Sequence, residues 1–342
     1  MDVSPLNYKL TFEPDLKKFT FTGLESISIN CKKSVNSITM NCAELKIKSC
    51  IVKSGKKIIK SYPKTNEKKE ELQIKLAEKI RGLCTVDLEF EGILNDRLLG
   101  FYRSRYEQNG KTKYLATTQF EAADARRAFP CWDEPEAKAT FEISIIADNQ
   151  FTAISNMPVK TKKKTGKTTL YNFQKTPLVS TYLIYLGVGE FEYLSGKAGK
   201  IQIRVVTTKG NTSKGKFSLE LGKKLLTSYE KYFGIKFPLP KLDLIAVPDF
   251  AAGAMENWGA ITFRETILLY DPKTSSTRTK QFIAEVISHE IAHMWFGNLV
   301  TMKWWNDLWL NESFATFMAT KFVDKFYPEW DLWNQFVEDA MN

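Results

Sequence analysis

The segment His289-Glu290-Ile291-Ala292-His293 contains both histidines of this 342-residue chain. Residues four apart in a helix lie on one face, so the two imidazoles can converge on a single metal ion. Glu290 directly follows the first histidine and can reach a water molecule at the metal without being a ligand itself. This pattern, H-E-x-x-H, is the signature of a zinc site in which the glutamate is the general base.

The alternative for this segment is a buried helix in which hydrogen bonds inside the protein satisfy both histidines. The residues that follow favour the metal site. Glu312 follows His293, with eighteen residues between them, in an apolar segment that includes Trp309, Leu310 and Phe314. A carboxylate in such surroundings needs a partner. As a third ligand from a second helix, Glu312 would leave the fourth zinc position open for water, as a catalytic site requires.

Length and composition place the chain among globular proteins. Its 342 residues predict two domains, and its 43% hydrophobic content predicts sizeable cores. No run approaches the eighteen or more apolar residues of a membrane helix, and the first residues do not form a signal peptide. Five cysteines without paired spacing predict free thiols, and hence a reducing, cytoplasmic environment. None of the five cysteines is predicted to bind zinc.

The net positive charge of the chain, +10, lies entirely in residues 1–200. Residues 1–200 hold 33 Lys+Arg and 23 Asp+Glu, whereas residues 201–342 hold 16 of each. Lysine-rich segments at 53–69 and 160–164 carry most of the excess, and we interpret them as solvated hairpin tips. They lack the aromatic or glycine pattern of a nucleic-acid module, so the sequence predicts no nucleic-acid partner.

Residues 1–189 are predicted to form an all-β domain, a large sandwich or an open saddle. Short alternating segments, separated by turn residues, indicate strands at 8–12, 19–29, 45–52, 72–76, 86–90, 139–146, 151–154, 168–173 and 182–188. Imperfect alternation near Gly23 predicts a β-bulge there. The segment 114–135 does not alternate and is dense in charged and aromatic residues. Taken alone, it favours a packing loop over a binding site.

Residues 190–342 mix strands and helices. The sequence predicts strands at 201–207, 242–247 and 260–270, and a helix from about 217 that stops at Gly234. The metal-motif helix is predicted to start with Thr277 or Thr279 as its cap and to run to Phe296. A last helix spans about 311–326 and stops at Pro328. Strands followed by two ligand-bearing helices predict an α+β catalytic domain.

These segments resemble the aminopeptidase N family of zinc metallopeptidases, the gluzincins that also include the leukotriene hydrolases. The resemblance extends over essentially the whole chain and rests on four anchors: Gly253-Ala254-Met255-Glu256-Asn257, residues 289–298, residues 304–312, and residues 129–135. It implies a saddle-shaped β-domain over 1–189 and a thermolysin-like catalytic domain over 190–342. It also implies one zinc ion per chain, with His289, His293 and Glu312 as ligands and Glu290 as base.

The resemblance also assigns the substrate site. Glu256 matches the carboxylate that holds the free α-amine of the substrate, within the segment Gly253 to Asn257. Gln119 and Glu121 match the loop that recognises the N-terminal residue. This assignment replaces the interpretation of segment 114–135 as a packing loop. Glu121 and Glu256 would form charge-assisted hydrogen bonds to an ammonium group, which an internal peptide segment lacks. The implied function is therefore a zinc aminopeptidase acting on peptides with a free N-terminus.

The chain departs from the family at its end. The family's oxyanion-stabilising tyrosine lies well downstream of the third ligand, so we expect it beyond residue 342. The family's C-terminal helical domain is expected to be missing as well, which leaves the catalytic domain incomplete. Since one oxyanion donor contributes about 10²–10³ in rate, we expect the chain to bind metal but to be weak or inactive as a peptidase. Ser313 replaces a frequent glycine, which we expect to be tolerated.

Two other functions stay open at this point. The leukotriene-hydrolase branch hydrolyses epoxides with the same zinc site. A metal-binding but inactive module is the non-enzymatic alternative. Other metals such as cobalt, nickel or manganese can occupy similar nitrogen and oxygen ligands. Asp307 and Glu285 are candidates for orienting the two histidines through their second ring nitrogens.

Overall fold

In the computed structural model, which describes residues 1–341, the chain divides into two units, Met1–Gly189 and Glu190–Asn342. Asn342, the last residue of the second predicted domain, lies outside the described residues. The first unit is built from strands, and the second combines one sheet with four α-helices. The predicted order, a β-rich domain followed by a mixed α and β domain, is confirmed.

The first unit contains two sheets. Its strands are β1 Val3–Asp15, β2 Thr20–Asn41, β3 Lys46–Ser54, β4 Lys57–Ile59, β5 Ser61–Asn66, β6 Glu71–Ile93, β7 Gly100–Gln108, β8 Lys111–Gln119, β9 Thr140–Asp148, β10 Thr152–Ser155, β11 Val159–Thr165, β12 Thr168–Phe173 and β13 Leu186–Gly189. Nine strands form one sheet in the order β11-β12-β9-β1-β2-β6-β3-β4, with β5 also paired to β6. The other sheet has the order β10-β13-β8-β7.

Alternation along the long strands produces the core of this unit. On β2, Phe21, Ile27 and Ile29 are buried while their sequence neighbours face outward. Phe21 and Phe12 of the larger sheet contact Phe101 of the smaller sheet, with ring centroids 5.1 and 5.9 Å apart. Each such buried aromatic side chain contributes about 1.5–3 kcal/mol, so these rings hold the two sheets together.

The bulge predicted near Gly23 is wrong. Gly23 pairs in regular register with Phe12 on β1 and with Phe90 on β6. A Cβ added at Gly23 would lie 2.2 Å from the ring of Phe90, so the glycine leaves the space that this ring fills. The register of β1 and β2 shifts instead between Pro5 and Asn7.

The lysine-rich segment 160–164 forms a strand and not a hairpin tip. It lies within β11, at the edge of the larger sheet, and every residue of β11 is exposed. Charged side chains on an edge strand keep its open hydrogen-bonding groups from pairing with other chains. Protection of the sheet edge therefore explains these lysines without an anionic partner.

Glu25 is a buried carboxyl group on the inner face of β2. It is 3% exposed, and neither of its carboxylate oxygens has a hydrogen-bond partner among the described residues. Burial raises the pKa of Glu25 well above its ordinary value. The pKa of Glu25 is thus higher in the folded chain than in the unfolded chain, and stability is lost as the pH rises from the unfolded pKa through the folded pKa.

We expect the Glu25→Gln variant to lose this pH dependence. Relative to the variant, the wild type should lose unfolding free energy above about pH 4.3, with a slope of at most about 1.4 kcal/mol per pH unit. Urea unfolding at a series of pH values measures the difference. The exposed Glu13→Gln change on β1 is the matched control and should run parallel to wild type. If the unfolding free energy of Glu25→Gln changed with pH in parallel with that of the wild type, Glu25 would have the same pKa in the native and the unfolded chain.

The second unit holds a five-stranded sheet and four helices. Its strands are β14 Phe191–Ala198, β15 Ile201–Thr208, β16 Lys241–Val247, β17 Ala254–Met255 and β18 Ala260–Arg264, in the order β14-β15-β16-β18-β17. Its helices are α1 Lys216–Phe233, α2 Thr277–His293, α3 Trp309–Phe326 and α4 Leu332–Met341. No helix in the described part of the chain is long and apolar enough to cross a membrane.

Two predicted strands are shorter than expected. The strand predicted over 182–188 begins only at Leu186, because Thr181–Leu183 form a 3-10 turn. The strand predicted over 260–270 ends at Arg264, where a second 3-10 turn, Glu265–Ile267, begins. The first segment is a short apolar run, in which alternation alone does not distinguish a strand from a buried turn.

Candidate metal centre

Helix α2, which carries the histidine motif, has its N-cap one residue before Thr277, the nearer of the two predicted caps. Ser276 is the N-cap, and its hydroxyl accepts a hydrogen bond from the backbone N of Thr279 at 3.1 Å. The helix ends at His293 and not at Phe296. Gly297 adopts a positive φ of 130°, a conformation that favours glycine and turns the chain away from the helix axis.

Packing fixes the orientation of α2. Ile283, Ile287 and Ile291 recur at four-residue spacing and are fully buried. The hydroxyl of Tyr229 on α1 contacts Ser288 of α2, donating to its carbonyl at 3.0 Å and lying 2.8 Å from its Oγ. With the helix held on this side, its histidine face is directed toward α3.

Three potential metal ligands converge between α2 and α3. The Nε2 atoms of His289 and His293 are 2.9 Å apart. A carboxylate oxygen of Glu312 lies 3.2 Å from Nε2 of His289, and the other lies 3.6 Å from Nε2 of His293. Tetrahedral ligands about 2.0–2.1 Å from a zinc ion are separated by roughly 3.3 Å. The three observed separations bracket this value, so the ligand set fits a metal ion of that size.

The hydrogen bonds of the imidazoles support the same conclusion. Nδ1 of His293 lies 2.9 Å from the carbonyl oxygen of Phe296, which can only accept, so this nitrogen carries the proton. Nδ1 of His289 lies 3.3 Å from the hydroxyl of Thr316. If both Nδ1 atoms donate, both Nε2 atoms present lone pairs to each other, and a cation between them would relieve the repulsion.

Acidic side chains make this position favourable for positive charge. Burial opposes ionisation of His293, but the carboxylates of Glu256, Glu312 and Glu290 outweigh it and raise the pKa of His293 to about 10. Burial also tends to raise the pKa of Glu312, but hydrogen bonds from His289 and His293 lower that pKa below its ordinary value. A proton and a metal ion would therefore compete for the same position.

Glu290 lies next to the candidate ligand His289, at the edge of a cavity. Its side chain is 6% exposed, and it lines a pocket of about 290 Å³ next to His289. Residues of α2, of α3 and of the start of β17 bound the pocket. They are Gly253, Ala254, Glu285, Val286, His289, Glu290, Thr316, Ala319 and Thr320. Glu290 is thus adjacent to both the candidate metal position and an open cavity.

Glu256 lies in the loop that connects β17 to β18. It is 3% exposed, and its Oε1 atom has no hydrogen-bond partner among residues 1–341. The amide of Asn298, in the turn after α2, donates to the backbone carbonyl of Glu256 at 2.8 Å. The Nδ2 atom of Asn257 donates to the hydroxyl of Thr262 at 3.1 Å. These bonds fix the loop while one carboxylate oxygen stays available for a ligand.

Comparison with known proteins agrees with this arrangement. Residues 4–183 match the Peptidase M1 N-terminal domain, and residues 217–342 match the Peptidase family M1 domain. The chain belongs to the M1 peptidase family. The resemblance identified from the motifs is therefore confirmed, and the candidate ligands His289, His293 and Glu312 lie within the residues that match the Peptidase family M1 domain.

Several M1 relatives are similar along nearly all of this chain. Aminopeptidase M1 of Arabidopsis thaliana is 44% identical over 98% of the chain, and the puromycin-sensitive aminopeptidase of Caenorhabditis elegans is also 44% identical over 98%. The alanine/arginine aminopeptidase of Saccharomyces cerevisiae is 44% identical over 99%. The chain spans 39%, 36% and 40% of these relatives, respectively.

The remaining predicted substrate residues of this M1 chain lie in both units. Gln119 ends strand β8 in the first unit and is 8% exposed, and Glu121 lies two residues further along the chain. Their role in recognising an N-terminal residue stays a prediction. In the second unit, Ala254 and Met255 form β17 at the edge of the five-stranded sheet.

Sequence reasoning missed the groups that orient the histidines. The partners of the two Nδ1 atoms are the carbonyl of Phe296 and the hydroxyl of Thr316, which were not among the predicted candidates Asp307 and Glu285. The carbonyl has no sequence signal, since any residue supplies one. Thr316 could have been found, because it lies four residues after Glu312 and so on the same face of α3.

Proposed function

We propose that the protein is a zinc-dependent aminopeptidase that hydrolyses the first peptide bond of peptides with a free N-terminus. The observation that carries this proposal is the convergence of His289, His293 and Glu312 beside two buried glutamates, Glu290 and Glu256. The names of the M1 relatives favour the same activity over the epoxide hydrolysis considered from the sequence.

Each proposed role follows from the chemistry of the side chain. His289, His293 and Glu312 would hold one zinc ion, and Glu290 would take a proton from the attacking water and pass it to the leaving amine. A bound zinc ion would supply a Lewis acid that polarises the scissile carbonyl and lowers the pKa of a water molecule. Because Glu290 is buried next to the pocket, its carboxylate can act there with little competition from bulk water.

Binding of the substrate would use β17 and Glu256. β17 is the edge strand of the five-stranded sheet, and an extended peptide can add to such an edge as another strand. Glu256 would accept hydrogen bonds from the α-ammonium group of that peptide. An internal segment brings no ammonium group, so Glu256 would stay buried and unpaired, which costs about 1–3 kcal/mol or more. This difference in binding between a free N-terminus and an internal segment would make the enzyme an exopeptidase.

A cytoplasmic location is part of the proposal. All five cysteines are unpaired thiols, and four of them are buried. Thiols that stay reduced are typical of reducing compartments. Expected partners are peptide substrates, with no role for nucleic acid or membrane lipid.

The proposal is tested by zinc analysis and by hydrolysis of a panel of aminoacyl anilides. Both are measured on this chain and on the protein expressed to the end of its reading frame. We expect one zinc ion per chain, and any turnover, which we expect to be weak or absent for this chain alone, to be much faster on free aminoacyl substrates than on their acetylated forms. Zinc binding without turnover in either form would support the binding module, and turnover of a lipid epoxide alone would support the epoxide hydrolase.

The Glu256→Gln variant should lose its preference for a free amine. A hydrogen bond to a charged group contributes about 1.5–3 kcal/mol, so we expect kcat/KM for free aminoacyl substrates to fall about 10- to 150-fold. The residual rate on acetylated substrates should not change. The exposed Glu220→Gln change on α1 is the control. An equal loss on free and acetylated substrates would show that Glu256 does not bind the amine.

A further inference from the structure

The two imidazoles of the candidate metal centre are oriented by groups of different kinds. His293 donates from Nδ1 to a backbone carbonyl, that of Phe296, at 2.9 Å. His289 has its Nδ1 atom 3.3 Å from a side-chain hydroxyl, that of Thr316. A carbonyl can only accept, and so it fixes the tautomer of His293 without help from any side chain. A hydroxyl can donate or accept, and a single substitution removes it.

Helix α3 contacts both ring nitrogens of His289. The carboxylate of Glu312 lies 3.2 Å from Nε2, and the hydroxyl of Thr316 lies 3.3 Å from Nδ1. These two residues are one helical turn apart, so they project from the same face of α3. A metal ligand and a hydrogen-bonding group on one rigid element would set both the tautomer and the tilt of the ring.

We propose that Thr316 is the positioning residue of His289, accepting a hydrogen bond from Nδ1 so that the Nε2 lone pair faces the metal. This inference rests on the proposed metal site. The acceptor is a neutral hydroxyl, whereas carboxylates and backbone carbonyls are the common partners of ligand histidines. His289 is therefore the more weakly oriented of the two histidine ligands, and the metal affinity of the site depends on one threonine.

Neighbouring residues provide the controls. Thr320 lies one turn beyond Thr316 and lines the same pocket, but its hydroxyl donates to the backbone carbonyl of Thr316 at 3.3 Å. The Thr320→Val change therefore removes a similar hydroxyl from the same cavity without touching the ring. The Thr316→Val change keeps the volume of the side chain and removes the acceptor, and Thr316→Ser retains the hydroxyl.

The first test measures zinc affinity by competition with chelators in wild type, Thr316→Val, Thr316→Ser and Thr320→Val. We expect Thr316→Val to weaken zinc binding about 10- to 100-fold, the usual effect of removing a partner of a ligand histidine. Thr316→Ser and Thr320→Val should stay near wild type. Unchanged affinity in Thr316→Val would overturn the inference. A wild type that binds no zinc would instead overturn the proposed function.

A second measurement separates positioning from folding. The chain has only two histidines, so histidine-specific ¹⁵N labelling gives two imidazole patterns. In the zinc-loaded wild type, both rings should be protonated at Nδ1. In Thr316→Val, the Nδ1 proton of His289 should exchange faster with water while that of His293 stays protected. Equal changes in both rings, or in neither, would contradict a specific role for Thr316.

Discussion

Replacing Glu290 by glutamine is expected to lower kcat by about 10²–10⁴, which corresponds to roughly 2.7–5.4 kcal/mol of transition-state stabilisation. Glutamine has nearly the same size and cannot take a proton from water at neutral pH. Because the side chain is buried and is not among the three converging ligands, we expect zinc content to be unchanged. Steady-state kinetics on an aminoacyl anilide, with zinc analysis of the same sample, measure both quantities.

Measuring turnover and zinc content on the same sample distinguishes a catalytic base from a metal ligand. Loss of turnover with full zinc content supports Glu290 as the base. Loss of zinc together with turnover would mean that Glu290 acts as a ligand, which contradicts the proposed ligand set. The Glu312→Gln variant is the comparison, since it should lose zinc and activity together. A Glu290→Gln enzyme with near-normal kcat would exclude Glu290 as the base.

The Asp243→Asn variant is expected to be destabilised by about 3–5 kcal/mol, because it leaves the buried Lys241 and the partly buried Arg204 without their anion. Asp243 is fully buried on β16. It accepts two hydrogen bonds from the guanidinium of Arg204, at 2.6 and 2.5 Å, and one from Nζ of Lys241, at 2.7 Å. Burial lowers the pKa of Lys241 to about 8, even though Asp243 favours its charged form.

Urea unfolding of a graded set of variants checks this prediction. Lys241→Met should cost less than Asp243→Asn, because the paired bonds between Arg204 and Asp243 remain. The exposed Glu220→Gln change breaks a surface ion pair and should cost at most about 1 kcal/mol. If Lys241→Met proves as costly as Asp243→Asn, the lysine is the main contributor, through its bond to the carbonyl of Gly259 at 2.8 Å.

Sequence patterns predicted the parts of this protein that depend on local periodicity. The four-residue spacing of His289 and His293 is enough to place both rings on one face, because the geometry of an α-helix does not depend on its surroundings. Alternation along β2 likewise predicts which residues are buried. The prediction failed at Gly23, where the reason for glycine is the ring of Phe90 on the neighbouring strand and not a bulge.

Only the tertiary structure determined the contacts between elements distant in sequence. Thr316 reaches His289 from another helix, and Arg204 on β15 joins Asp243 and Lys241 on β16. These contacts depend on how helices and strands pack, which periodicity does not encode. The sequence therefore determined which residues could hold a metal and activate water. The packing of α2 against α3 decided how those residues are oriented, because the groups that contact the ring of His289 belong to α3.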